Sequence, residues 1–270
     1  MAIAKTLQEH LEFVEEVSRL SFWYAWTLQK RLPEEPLSDI IRKHTMLYYH
    51  ILNLPATQPR TELEALTAPN AEDFSNMMWL RCHDFILEKA TAFYPDSIGM
   101  PHYIEKPQYG WNCGSLKYEA PRPEPEAKGL CIFHIANGTA PESIFNVPGH
   151  LLDCFEKLLR DSEKEYGYTT LYTSTWLNDR EDFLQYFPQE WRDNLSPRDE
   201  NAIPGWTIGN WGQLITARGL LNTKNAAYLK GNGHLKYCSR KSSCSFENMK
   251  KHLHFLRHNY ILKQQEKTRH

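Results

Sequence analysis

Nowhere in the 270-residue chain do 18 uncharged apolar residues run together, which excludes an ordinary transmembrane helix and makes a membrane an unexpected partner. The first residues, MAIAKTLQEHLEF, lack the continuous apolar segment of a secretory signal. Net charge is also scarce. The 31 Lys and Arg against 33 Asp and Glu give −2, too little positive field to hold a phosphate backbone, so nucleic acid is not an expected partner. Three nucleotide or nucleophile signatures are missing: Gly-x-Gly-x-x-Gly, Gly-x-x-x-x-Gly-Lys-Ser/Thr and Gly-x-Ser-x-Gly. Cysteine is sparse and scattered, at Cys82, Cys113, Cys131, Cys154, Cys238 and Cys244. That usage reads as reduced thiols in a cytoplasmic protein rather than a disulfide framework.

No metal is expected either. Cys238 and Cys244 have no second cysteine pair at zinc-site spacing. His254 and His258 stand at i, i+4 but lack the Glu of His-Glu-x-x-His, and the apolar stripe Met249, Leu253, Leu256, Tyr260 turns them toward solvent. A metal-dependent chemistry would require His44, His83 or His234 to join His134 in space.

What is present is an ordinary globular composition, 41% hydrophobic and 24% charged, with a generous 13% of aromatics for a core or a pocket. Residues 1–95 read as a helical domain. Leu7, Leu11, Val14 and Val17 repeat at three and four; Leu37, Ile40, Ile41, His44, Leu47, Tyr48 and Ile51 share a second face; Phe74, Met78, Phe85 and Ile86 mark a third helix over 72–92. Residues 96–128 are rich in Pro, Gly and aromatics and end in the Pro/Glu run YEAPRPEPEAKG, a connector or lid that cannot be helix or inner strand.

Residues 129–270 alternate and read as an α/β domain, giving an α+β chain with a mixed-sheet C-terminal half. Leu130–Ile135 is an apolar strand expected to be buried on both faces. Gly149–Tyr166 is an amphipathic helix ended by Gly167, and TTLYTSTW (169–176) is a β-branched strand. Strand, helix and strand form a βαβ unit, so the two strands should be parallel. Further expectations are a helix near 181–195, strands in WGQLITAR (211–218) and His234–Cys238, a short helix near 223–230, a hairpin turn at Gly231-Asn232-Gly233, and a last helix capped by Ser245.

In open α/β sheets ligands bind at the carboxyl ends of the strands. That edge collects His134 and Asn137 after the first strand and Thr175, Trp176 and Asn178 after the second. An imidazole takes a proton near neutrality; Asn137 holds its tautomer, or Asn137 or Thr175 donates to an oxyanion. In GNWGQLITARG (209–219), Trp211 and Gln213 line a pocket with Trp176, and Arg218 anchors an acidic group.

The succession of a helical first half, a strand ending FHI (133–135), a helix of about twenty residues and a strand ending STWLND (174–179), then FLQYFP (183–188), resembles the bacterial acyltransferase-like proteins that join a helical N-acyltransferase N-terminal domain to a GNAT-like C-terminal domain. The matching positions are His134-Ile135 and Ser174, Trp176 and Leu177. The resemblance implies a GNAT-like C-terminal half and transfer of an acyl group from a coenzyme A thioester to an amine or hydroxyl of a small molecule, with His134 as base. The Gln/Arg-x-x-Gly-x-Gly/Ala loop of acetyl-CoA-binding GNAT proteins is absent. Two other readings remain: a lyase or isomerase using the same histidine, and a catalytically silent ligand-binding module, which a pH–rate profile would separate from an enzyme.

Overall fold

Thr6 opens the first helix with a capping box: its hydroxyl accepts from Glu9 N–H while the Glu9 carboxylate accepts from Thr6 N–H. The computed structural model describes residues 5–97, 110–124 and 128–268, with side chains to 260. Along the chain run α1 (Leu7–Gln29), α2 (Leu37–His44), α3 (Ala71–Phe93), β1 (Leu116–Tyr118), β2 (Leu130–Ile135), α4 (His150–Tyr166), β3 (Thr170–Thr175), α5 (Glu181–Leu184), α6 (Gln189–Asp193), α7 (Ile208–Trp211), α8 (Thr223–Asn232), β4 (Arg240–Ser245) and α9 (Phe246–Thr268). No helix among the described residues is long and apolar enough to cross a membrane.

The chain divides into two compact units, Met1–Met100 with Asp199–Cys238, and Pro101–Arg198 with Ser239–His270. This differs from a boundary that leaves 129–270 whole. The reason is packing: Trp211, Leu214, Ala226 and Leu229 belong to the same buried cluster as Val14, Phe22, Ile40 and Phe74, and Trp211 meets Tyr24 edge-on at 5.1 Å.

In the helical unit α1 packs along α3. Phe13, Val14, Val17, Phe22 and Leu28 are buried, whereas Leu7 is 39% exposed, so the buried stripe begins a turn later than the spacing implies. The second predicted helix stops at His44, where Thr45 turns extended, and a π-helical turn over Leu47–Ile51 carries its apolar residues onward. WGQLITAR is no strand: α7 continues as a 3₁₀ turn over Gly212–Leu214, and only one bridge, Ile215 to Leu221, forms. Nor is Gly231-Asn232-Gly233 a hairpin turn. It closes α8, with Gly233 left-handed at φ +75° as the C-cap.

In the α/β unit the sheet order is β1-β2-β3-β4. β1 is antiparallel to β2, β2 parallel to β3 as the βαβ reading requires, and β3 antiparallel to β4. The last predicted strand is displaced: 234–238 is not extended into the sheet, and the strand is the polar run Arg240–Ser245. The helix expected over 181–195 is two short ones, α5 and α6. β2 is buried on one face only; Cys131 and Phe133 are covered while His134 is exposed. On the covered face Leu151, Leu152, Phe155, Leu158 and Leu159 of α4 join Phe133, Leu171, Trp191 and Cys244, each large side chain contributing about 1.5–3 kcal/mol. The Ser245 hydroxyl accepts from Asn248 N–H and caps α9.

Two histidines set an acid limit on the helical unit. Burial, reinforced by the nearby Lys5 ammonium, pushes the His10 imidazole down to about 4, and burial pushes His50 down to about 4. The unfolded chain takes up these protons first as pH falls below about 6.5. Stability is therefore full above that pH and falls until the folded-state values are reached, by roughly 3 kcal/mol at most for each histidine. Urea titrations at pH 7 and pH 5 should show the loss, and His50→Leu should flatten it; an unchanged slope in that variant would contradict the assignment.

Candidate active site at the carboxyl end of β2

A tight turn sets up the first cluster. Cys113 and Leu116 exchange backbone hydrogen bonds of 3.0 and 3.2 Å across Gly114-Ser115, and Gly114 is left-handed at φ +64°, a conformation glycine takes without steric cost. A Cβ there would lie 2.8 Å from Cys154 Sγ. The antiparallel pairing of β1 with β2 then carries Ser115 to the end of β2, where Ala136 N–H donates to Ser115 O at 2.9 Å and Gly138 N–H donates to Ser115 Oγ at 3.0 Å. The loop returns through left-handed Gly149 to His150, the first residue of α4.

His150 Nε2 lies 2.7 Å from Ser115 Oγ and 3.6 Å from Cys154 Sγ, one turn further along α4. In the tautomer that carries its proton on Nδ1, His150 Nε2 accepts from the Ser115 hydroxyl. Burial lowers the His150 imidazole, against the pull of the Asp153 carboxylate, and burial raises the Cys154 thiol despite a hydrogen bond from Ser115 N–H. The pair at neutral pH is therefore a hydroxyl facing a neutral imidazole. Ser115 is fully buried and Cys154 nearly so.

The second cluster stands on the uncovered face of the same strand. His134 pairs in register with Lys117 of β1, and its Nε2 lies 2.5 Å from Glu119 Oε1. Glu119 also accepts from Arg122, at 2.8 Å from Nε and 2.7 Å from the terminal nitrogen. Burial alone would raise the Glu119 carboxyl, but the His134 and Arg122 hydrogen bonds outweigh it and hold it below its usual range. The His134 side chain is 44% exposed.

The other expected residues fall elsewhere. Asn137 is occupied within its loop, donating to Glu142 O at 2.9 Å and accepting from Thr139 Oγ1 at 3.0 Å. Thr175 is buried on the face opposite His134, where its hydroxyl accepts from Leu177 N–H and starts the 3₁₀ turn Trp176–Asp179. The expected pairing of His134 with Thr175 is therefore not formed. Half-buried Trp176 lies 5.5 Å beneath the Arg180 guanidinium. Fully buried Asn178 donates to Arg240 O at 2.8 Å and accepts from Trp191 Nε1 at 3.1 Å, tying β4 and α6 to the end of β3.

Trp211, Gln213 and Arg218 belong to the helical unit. Trp211 Nε1 donates to Gly205 O at 2.9 Å, Gln213 donates to Tyr237 O and accepts from Tyr237 N–H, both at 2.9 Å, and Arg218 pairs with Glu9 at 3.0 Å. His254 and His258 are exposed on α9. Among the described residues no group of three or more His, Cys, Asp or Glu could hold a metal ion.

Sequence reasoning missed Glu119, Ser115, His150 and Cys154. Glu119 sat inside the Pro/Glu run. The one available signal for His150 was its place directly after Gly149 at the start of a predicted helix. The chain matches no family model, no curated protein and no solved structure.

Proposed function

We propose that the α/β unit is a small-molecule enzyme that transfers an acyl group from a thioester to an amine or hydroxyl, with His134 as general base. The observation that carries this reading is the His134–Glu119 pair, 2.5 Å apart at the end of β2. A carboxylate on Nε2 keeps the proton on that nitrogen and leaves Nδ1 as the acceptor. Among the described residues Nδ1 has no hydrogen-bond partner, and the ring is open to solvent. An acceptor amine bound there would pass its proton to Nδ1 as its nitrogen attacks the thioester carbonyl carbon. Collapse of the tetrahedral intermediate breaks the carbon–sulfur bond, and the imidazolium, stabilised by Glu119, returns the proton to the departing thiolate.

Coenzyme A is the carrier to try first, beside short synthetic thioesters, because the base acts on the acceptor and asks nothing of the carrier's nucleotide. The resemblance of the sequence layout to the acyltransferase-like proteins motivates the same reaction class. A cytoplasmic setting fits the cysteines, all six of them free and buried. No nucleic acid or membrane partner is part of this reading.

His134→Ala should lower kcat for thiol release about 10²–10⁴-fold while the cooperative unfolding transition is kept, and Glu119→Gln should lower it by a smaller factor. Unchanged turnover in His134→Ala would overturn the assignment.

A further inference from the structure

The Ser115–His150 pair takes no part in the base catalysis assigned to His134. We propose that Ser115 is an acylatable nucleophile whose base is His150, so that the unit forms an acyl-serine. The proposal rests on the acyl-transfer reading for the class of donor alone. Three features of the pair carry it. The Oγ–Nε2 separation of 2.7 Å is that of a nucleophile already hydrogen-bonded to its base. The Gly138 N–H donates to Oγ at 3.0 Å and fixes the oxygen beside the imidazole. The left-handed turn at Gly114 presents Ser115 at the carboxyl end of β2.

The step balances without an added reagent. As Oγ attacks the carbonyl carbon of an ester or thioester, the hydroxyl proton passes to His150 Nε2 and the oxygen–carbon bond forms. The bond to the leaving thiolate or phenolate then breaks, and that group takes the proton from the imidazolium. Attack by water or an acceptor amine, deprotonated by the same nitrogen, regenerates Ser115. Cys154 competes for Nε2, but its sulfur is further away at 3.6 Å. Ser115 is wholly covered and Gly138 of the 136–149 loop lies against its Oγ, so acylation requires that loop to move aside.

The full chain, incubated with p-nitrophenyl acetate and no acceptor amine, should release a burst of p-nitrophenolate and carry an acetyl group on Ser115 in a peptide mass map. His150→Gln should slow the burst about 10²-fold or more, and Ser115→Ala should abolish it. An acetyl group found only on Cys154 or on surface lysines, or no adduct at all, would overturn the proposal; the wild-type map decides this even if a variant fails to fold. Leaving out the acceptor separates this outcome from the transfer assay that tests His134.

Discussion

Trp191→Ala should cost the α/β unit about 4–6 kcal/mol, the sum of a cavity and an orphaned acceptor. The indole is fully buried, stacks on Phe187 with ring centres 4.1 Å apart, and lies 6.2 Å from Phe133 of β2. Its Nε1 is the donor to Asn178 Oδ1 at 3.1 Å. Removal leaves that oxygen unpaired in the interior of a unit whose total stability is of the order of 5–15 kcal/mol. Trp191→Phe keeps much of the volume and loses the hydrogen bond, so the difference between the two variants separates the terms. Urea titration followed by far-UV circular dichroism reads both. A loss under about 1 kcal/mol for Trp191→Ala, below the range for buried aromatics, would contradict the packing described.

Gly114→Ala should cost about 2–5 kcal/mol and disturb the Ser115 cluster directly. A left-handed conformation costs a non-glycine residue about 1–2 kcal/mol, and the new methyl would stand 2.8 Å from Cys154 Sγ, an overlap worth about 1–3 kcal/mol more. Two controls isolate these parts. Gly110 is also left-handed, at φ +63°, and among the described residues nothing lies within 4 Å of the added Cβ, so Gly110→Ala should show the conformational cost alone. In a Cys154→Ala background the overlap is relieved, and a double-mutant cycle should report a coupling of about 1 kcal/mol or more. Equal losses for Gly114→Ala and Gly110→Ala would show that Cys154 does not press on the turn.

Legibility in the sequence followed hydrophobic pattern closely. The helices of the first 95 residues and the β2–α4–β3 unit were readable because their apolar residues recur at the spacing each element requires. β4 was not, because Arg240-Lys241-Ser242-Ser243-Cys244-Ser245 contains no β-branched or aromatic residue. It is a strand because Ser242 and Cys244 fit beneath Trp191 and opposite Leu171, which is tertiary context overriding propensity. The return of 199–238 to the helical unit has the same origin: Trp211 and Leu229 carry no mark in the sequence of which core they will enter.

The site divided in the same way. His134 stood out as a histidine ending an apolar run, and the structure places it at that end. Its carboxylate was hidden in a Pro/Glu stretch, because only the register of β1 on β2 brings Glu119 to it. Ser115 and His150, 35 residues apart, meet through that pairing and the start of α4. Thr175 was misjudged by strand parity: it follows Thr173 onto the covered face, whereas His134 follows Ile132 onto the other.

Free-thiol release by the purified wild-type chain is the decisive assay for thioester-dependent acyl transfer. With a panel of acyl-coenzyme A esters and short synthetic thioesters, each offered with a primary amine or an alcohol, the expected result is thiol release that the acceptor accelerates and that yields the acylated acceptor. Release no faster than the protein-free control across the whole panel would contradict it.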